Sequence, residues 1–203
     1  IMTDRFLNGN SANDAPPTPN AEPSTDWKGG DFAGITQMIE SGYFDTLGVR
    51  ALWLTPFNQG TDGVFIASDN VHQVTGFHGY WPVEPRAVDR RLGTEEELEA
   101  MVAAAHDHGI RILMDSVVNH VHEEHTYFQE TPQWFNPGCV CGTSGCDWTA
   151  ERLTCLFADY MPDIDWKNKE AGERFINDVL WWMERYDMDG ARVDAVKHVD
   201  DLA

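Results

Sequence analysis

The sequence predicts an α/β fold in which parallel strands are joined by helices. Three observations lead there. Apolar strand-like runs alternate with amphipathic helical stretches, and that alternation implies parallel strands with right-handed crossovers. The long irregular segments follow the C-terminal ends of the strands, the face on which β/α barrels carry their chemistry. Two aspartates, Asp115 and Asp194, close strand-like runs at that same end.

The elements follow in order. Residues 8–30 read as loop, because Asn8-Gly9-Asn10, Pro16-Pro17, Pro19, Pro23 and Gly29-Gly30 break regular structure. Asp31 caps a short helix through about Ser41, with Gly42 closing it. Val49 to Leu54 is a buried strand stopped by Pro56, and residues 58–86 read as a long loop. Thr94 with Glu97 three residues on forms a capping box. Leu98, Met101, Val102 and Ala105 follow at helical spacing, and Gly109 ends that helix. Ile110 to Met114 is the next strand, with Asp115 at its end. Residues 120–165 are a long aromatic excursion. A helix from about Ala171 to Tyr186 carries Phe175, Val179, Trp182, Met183 and Tyr186 on one side. Asp187 to Gly190 form a turn, and Ala191-Arg192-Val193 is a short strand ended by Asp194.

Composition narrows the partners. Asp and Glu number 34 against 14 Lys and Arg, a net charge of −20. That argues against a nucleic-acid backbone and against an anionic membrane surface, both of which need clustered cations. No apolar run approaches the ~18 residues of a membrane span. Apolar residues make up 42 % and charged ones 24 %, which excludes a disordered chain. Eight Trp, five Tyr and ten Phe supply aromatic faces suited to stacking neutral ring-shaped ligands.

Two constellations carry chemistry. One is Asp115-Ser116-Val117-Val118-Asn119-His120. The other is Gly190-Ala191-Arg192-Val193-Asp194-Ala195-Val196-Lys197-His198. Arg192 and Asp194 are two apart on a strand and so share a face. An Arg beside a carboxylate keeps it charged and oriented, which suits nucleophilic attack on an electrophilic carbon. A purely structural Arg–Asp pair at a strand end reads equally well from the pattern.

These stretches resemble two signatures of the α-amylase family of glycoside hydrolases, of the forms Asp-x-x-x-Asn-His and Gly-x-Arg-x-Asp-x-x-Lys-His. Met161-Pro162-Asp163-Ile164-Asp165 resembles a third. Phe77-His78-Gly79-Tyr80-Trp81 resembles the aromatic segment after the family's second strand, and Thr3-Asp4-Arg5-Phe6 the end of its first. The motifs occur in the family's order and span the chain. The resemblance implies a (β/α)8 TIM barrel truncated after about the fourth strand, with an irregular subdomain inserted after the third. Residues 1–120 would be the first part of the barrel, 121–165 the insertion and 166–203 the continuation. Asp194 would be the nucleophile and Arg192 its positioning partner. His78, Tyr80, Trp81, Asp115 and His120 would shape the subsite of the attacked sugar, with Lys197 and His198 toward the leaving group. Cleavage of α-glucosidic bonds in starch-like glucans would proceed with retention. A transglycosylase or isomerase of cyclodextrin- or trehalose-forming type would use the same nucleophile. A non-catalytic sugar-binding relative typically lacks it. The family's general-acid Glu and third carboxylate have no counterpart in these residues, which agrees with a fragment. So do the two ends, Ile1 onward and Asp200-Asp201-Leu202-Ala203, which lack the polar, Gly/Ser-rich character of natural termini.

The resemblance also implies calcium. Asn8, Asn10, Asn13, Asp14, Gly29 and Asp31 resemble the calcium loop of the cyclodextrin-forming members, although a polar turn-rich loop would look the same. Asn119, Asp159 and the carbonyl of His198 match the family's more general site. Hard oxygen donors suit Ca²⁺ in both. Cys139, Cys141, Cys146 and Cys155 are even in number and clustered, which favours two disulfides in a secreted or periplasmic protein. Zinc or free thiols are the alternatives. His106 and His108 read as dipole partners at a helix C-terminus. His122, Glu123, Glu124 and His125 read as a solvated loop, with metal binding the alternative.

Overall fold

The computed structural model describes residues 1–67 and 69–201, so Leu202 and Ala203 of the terminal reading lie outside the described residues. In chain order the elements are α1 (Thr3–Phe6), α2 (Phe32–Glu40), α3 (Tyr43–Leu47), β1 (Ala51–Leu54), β2 (Val64–Ile66), β3 (Gln73–Thr75), α4 (Glu95–Asp107) and β4 (Arg111–Ser116). Then come α5 (Thr126–Glu130), β5 (Phe135–Asn136), β6 (Asp163–Ile164), α6 (Lys169–Tyr186) and β7 (Gly190–Val193). Single 3₁₀ turns occupy Pro132–Trp134 and Val196–His198.

The central sheet has the order β1-β4-β7 and is parallel throughout. Its register pairs Trp53 with Leu113 and Asp115 with Arg192. Strand pleating sends alternate residues to opposite faces. Leu52, Leu54, Ile112 and Met114 therefore turn to one side. There they join Phe32, Ile35, Leu98, Met101 and Trp182 in the main core. Full burial of such side chains stabilises by about 1.5–3 kcal/mol each. Trp53, Leu113, Asp115 and Arg192 turn to the other side, which is the side that carries the polar constellation.

The helices start where side chains can cap them. The Asp31 carboxylate accepts from the Gly34 amide at the head of α2. Thr94 and Glu97 form the complete capping box of α4. Asn168 accepts from the Glu170 and Ala171 amides, so α6 begins at Lys169, two residues earlier than the apolar spacing indicated.

Three readings need correction. Thr3–Phe6 is a helical turn, not a strand end. Ile1 lies along the edge of β1: its amine donates to the Trp53 carbonyl at 2.5 Å, its carbonyl accepts from the Thr55 amide at 2.9 Å, and the Thr3 amide then donates to Thr55 Oγ1 at 3.2 Å. The chain then turns because the Asp4 carboxylate accepts from the Lys28 and Gly29 amides and draws the following residues off the sheet. The span 58–86 is not plain loop. It contains the antiparallel hairpin β2–β3, whose three-residue strands are too short to show alternation. His122 and His125 are not on a solvated loop either. They are 0 % and 2 % exposed. His122 packs against Phe65 and Tyr160, and His125 against Tyr127.

The segment after β4 has its own small cores. Val121, Tyr127, Phe135, Ile164, Trp166 and Phe175 form one cluster. Cys141, Cys146 and Cys155 form another, with Phe157 against them. The four cysteines pair as Cys139–Cys146 and Cys141–Cys155, which rules out zinc and free thiols at these positions.

Candidate active site

The site is built on the C-terminal ends of β4 and β7. Register places Arg192 directly beside Asp115, and pleating places Asp194 on the same face. The Arg192 Nη1 donates to both oxygens of Asp115, at 3.0 and 3.1 Å, and to Asp194 Oδ1 at 2.5 Å. One guanidinium thus joins two carboxylates. The acceptors are what raise the Arg192 pKa, the Asp115 bond foremost.

The two carboxylates differ in access. The Asp115 side chain is 0 % exposed and that of Asp194 is 18 %. Asp115 also accepts from Trp53 Nε1 at 3.0 Å and from the Tyr80 hydroxyl at 2.7 Å. Its lone pairs are taken up by the scaffold. Asp194 has the Arg192 bond and retains access to solvent. Its backbone is fixed as well, since the Asp194 amide donates to the Ser116 carbonyl at 3.0 Å.

The aromatic segment forms the second wall. Gly79 adopts φ +85°, and a Cβ there would lie 2.1 Å from the Pro56 carbonyl oxygen. Only glycine lets this loop approach the end of β1 so closely. That approach delivers the Tyr80 hydroxyl to Asp115. Burial, then the bond to Asp115, raises the Tyr80 pKa. His78 Nδ1 accepts from the Tyr80 amide at 3.0 Å, and the two rings stack with centroids 5.8 Å apart. Burial lowers His78 to about 4.

His120 lies deeper. Its Nε2 is 3.0 Å from the Tyr80 carbonyl, so that nitrogen carries the proton and donates. Its Nδ1 faces the Asn119 amide at 3.4 Å. Burial lowers its pKa to about 4. His120 is 2 % exposed and both ring nitrogens are engaged, so it supports Tyr80 from behind. Trp81 is also buried, packing against His78, Phe65 and Tyr160, and backs the wall rather than facing the opening.

Beyond Asp194 the chain reverses. Ala195 takes the left-handed conformation at φ 51° and leads into the 3₁₀ turn carrying Lys197 and His198. Lys197 is exposed. His198 Nδ1 meets the Arg152 carbonyl at 3.0 Å, which ties this turn to the disulfide-bonded loop.

Two places offer hard oxygen donors to a cation. The Asn119 Oδ1 is buried and without a hydrogen-bond partner. Beside it, the Asn119 carbonyl accepts from the Ile164 amide, and His120 bridges Asp163. Asp163 is 2 % exposed, and burial pushes its carboxyl up to about 8. An unpartnered amide oxygen beside a buried carboxyl has the donor chemistry of a calcium site. Asp159 is exposed. Sequence reasoning passed over Asp163, although the Met161-Pro162-Asp163 motif marked it. In the first loop, both polar atoms of Asn13 are buried and unpartnered, and Asn8 donates to Asp14 at 2.7 Å. Asn10 donates to Glu97 and accepts from Ala12. Gly29 donates to Asp4, and Asp31 accepts from the Gly9, Asn10 and Gly34 amides. Among the described residues no group of three or more His, Cys, Asp or Glu is arranged to hold a metal.

Trp53 is the other residue that sequence reasoning missed. It stands mid-strand in an apolar run, is 43 % exposed, donates to Asp115 and lies under the Arg192 guanidinium at 4.7 Å. A Trp needs a partner for its N–H, and that requirement was the available signal.

Comparison with known proteins places this geometry. Residues 1–203 match the α-amylase catalytic domain. A cyclomaltodextrin glucanotransferase from Paenibacillus macerans is 29 % identical over 98 % of this chain and 30 % of its own length. An α-amylase from Niallia circulans is 29 % identical over 98 % of this chain and 41 % of its own. The solved α-amylase of Anoxybacillus superposes with a TM-score of 0.79 at 28 % identity, covering 98 % of this chain and 40 % of that one. The chain thus spans well under half the length of these relatives. Its parallel sheet and flanking helices are those of the family's TIM barrel. With the catalytic-domain match running from Ile1 to Ala203, the chain belongs to the α-amylase family.

Proposed function

We propose that this chain carries the nucleophile of a retaining glycosidase acting on α-glucosidic bonds of starch-like glucans or maltooligosaccharides. The observation that carries the reading is the Arg192 bridge. It fixes a solvent-accessible Asp194 beside a fully buried Asp115 at the ends of adjacent strands.

In this reading the sugar ring enters over Tyr80, whose face stacks on it. An Asp194 oxygen attacks the anomeric carbon as the bond to the leaving oxygen breaks. A covalent glycosyl-aspartate results, with configuration inverted once. Water then displaces Asp194 and inverts it again. Arg192 holds the carboxylate in the orientation for attack and keeps it from swinging away. Asp115 positions Arg192, Tyr80 and Trp53 but cannot readily serve as proton donor, because its oxygens already accept three donors. The proton for the leaving oxygen must come from a carboxyl outside this constellation.

Calcium, when bound, would cross-link the segment after β4 to the sheet. Asn119, Asp163 and the carbonyl of His198 are the residues that would hold it, with Asp159 nearby in sequence. Asn13 with Asn8 and Asp14 would form a second site. Two disulfides suit an oxidising compartment and support a secreted or periplasmic location.

The test uses the full-length gene product. A 2-fluoro glucosyl donor that traps the intermediate should add its mass to the peptide bearing Asp194. Asp194→Ala should abolish glucan cleavage while leaving glucan binding measurable. Label on another carboxylate, or full retained activity, would refute the assignment. The relatives that are glucanotransferases give a second reading, transfer rather than hydrolysis. Incubation with maltoheptaose separates them, since cyclic or longer products exclude simple hydrolysis.

A further inference from the structure

Trp53 makes two contacts that the reaction above does not use. Its Nε1–H donates to Asp115 Oδ2 at 3.0 Å. Its ring also lies under the Arg192 guanidinium, with Cζ 4.7 Å from the ring centroid. Trp53 belongs to β1 and Arg192 to β7, and β4 runs between them. Two strand spacings amount to about 9–10 Å. A long indole from one side and a long guanidinium from the other close that distance over Asp115.

Asp194 depends on this contact through Arg192. The bonds that the guanidinium makes to Asp115 and Asp194 all leave from one nitrogen, Nη1. Bonds through a single nitrogen let the planar group pivot about it, and an Arg side chain has many rotamers to pivot into. The Arg192 side chain is 36 % exposed, so close packing does not hold the plane either. The indole supplies the restraint. Its negative face attracts the flat cation, and its N–H fixes the carboxylate to which the cation is bonded. Tyr80 donates to the same Asp115 oxygen at 2.7 Å, but from a loop. Trp53 stands on a strand in register with β4, pairing with Leu113, and is the stiffer reference.

We propose that Trp53 is a positioning residue. It acts through Arg192 and Asp115 to hold Asp194 in line with the anomeric carbon. It therefore serves the rate of attack and not the binding of glucan. The proposal rests on the reading of Asp194 as nucleophile given above. Displacement of a reacting group by about 1 Å costs on the order of 100-fold in rate, which sets the scale of the expected effect.

Steady-state kinetics of the full-length gene product test it, with maltoheptaose and α-maltosyl fluoride as substrates. On the fluoride, Asp194 bonds to the anomeric carbon as the C–F bond breaks and fluoride leaves with the electron pair. No proton donor is needed, so fluoride release reads the attack by itself. Trp53→Leu removes both contacts and should lower kcat about 100-fold on both substrates, with KM changed less than about two-fold. Trp53→Phe keeps a ring under Arg192 and loses only the N–H, so its loss should be about ten-fold. Trp53→Phe decides alone should the leucine variant fail to fold by circular dichroism. Unchanged kcat in the variants overturns the positioning role alone. So does a raised KM at constant kcat, which would make Trp53 a sugar contact. Loss on maltoheptaose with fluoride release intact also overturns it, by moving the effect to proton donation. A Trp53-containing protein that cleaves neither substrate overturns the nucleophile reading and the positioning role with it.

Discussion

At the scale of single residues, burial decides which groups do chemistry and which hold the frame. Asp115 and Asp194 look alike in sequence, each at a strand end. Only Asp194 keeps solvent access, because Asp115 is enclosed by Trp53, Tyr80 and Arg192. Removing one donor from that enclosure takes away a hydrogen bond to a buried charged group, at a cost of about 1.5–3 kcal/mol. Tyr80→Phe should accordingly lower the thermal midpoint as well as weaken glucan binding; an unchanged midpoint would show that the hydroxyl is dispensable to the frame. A second residue links burial to pH. His125 is 2 % exposed and its Nδ1 accepts from the Tyr127 amide at 3.0 Å, capping α5. Burial lowers its pKa to about 3. Above about 6.5, His125 is neutral in folded and unfolded chains alike, and its titration costs nothing. As pH falls from 6.5 toward 3, the unfolded chain takes up a proton that the folded one refuses, so stability drops through that window. His125→Asn keeps a capping acceptor and removes the titration. Its thermal midpoint should therefore decline less on acidification than that of the parent protein. Parallel curves for the two would show that His125 does not set the acid limit.

At the scale of elements, the parts legible in the sequence were those encoded by local rules. The capping box at Thr94, the cap at Asp31 and the period of α4 and α6 needed only neighbours three or four residues away. The sharing of one face by Arg192 and Asp194 followed from strand pleating alone. What the sequence left hidden depends on distant partners. Thr3–Phe6 turns because Asp4 meets amides some 25 positions on. The β2–β3 hairpin is defined by pairing, not by pattern. Trp53 reads as an ordinary apolar residue until Asp115 arrives from 62 positions away. His122 and His125 read as polar loop until Phe65, Tyr127 and Tyr160 close over them. The local rules allow a direct check. Thr94→Ala removes the half of the α4 capping box that the hydroxyl supplies, the bond accepted from the Glu97 amide, and should cost about 1 kcal/mol, whereas Thr94→Ser should cost little. Chemical denaturation measures the difference, and equal losses for Ala and Ser would assign the effect to packing rather than to the cap.

At the scale of the whole molecule, the sheet and α6 carry an unbalanced surface. Among the described residues the order β1-β4-β7 leaves β7 with an open edge, and such edges invite pairing with other chains. Next to it Ile176, Leu180, Val193 and Val196 are 46 %, 48 %, 49 % and 70 % exposed. With Val118, Trp166, Phe175 and Val179 they line an apolar groove of about 460 Å³. Scattered exposed apolar residues are normal, but a contiguous patch is an interaction surface or an aggregation hazard. The chain matches 98 % of itself to relatives of which it covers 30 % to 41 %, so in a longer polypeptide this face has a natural place to be covered. Two opposite effects of one substitution follow. Leu180→Glu should raise the solubility of the 203-residue polypeptide produced by itself, because a charge breaks up the patch. In the full-length gene product the same change should lower the thermal midpoint by burying that charge. On the reading proposed above, the isolated 203-residue polypeptide should also show no activity on starch, since Asp115, the carboxyl beside Asp194, is not free to donate the proton. Sedimentation of the short polypeptide, thermal denaturation of the long one and a reducing-sugar assay of the short one give the three readings. A monomeric parent polypeptide whose solubility Leu180→Glu leaves unaltered would show the patch to be harmless. Starch turnover by the 203 residues would place a complete acid–nucleophile pair within them.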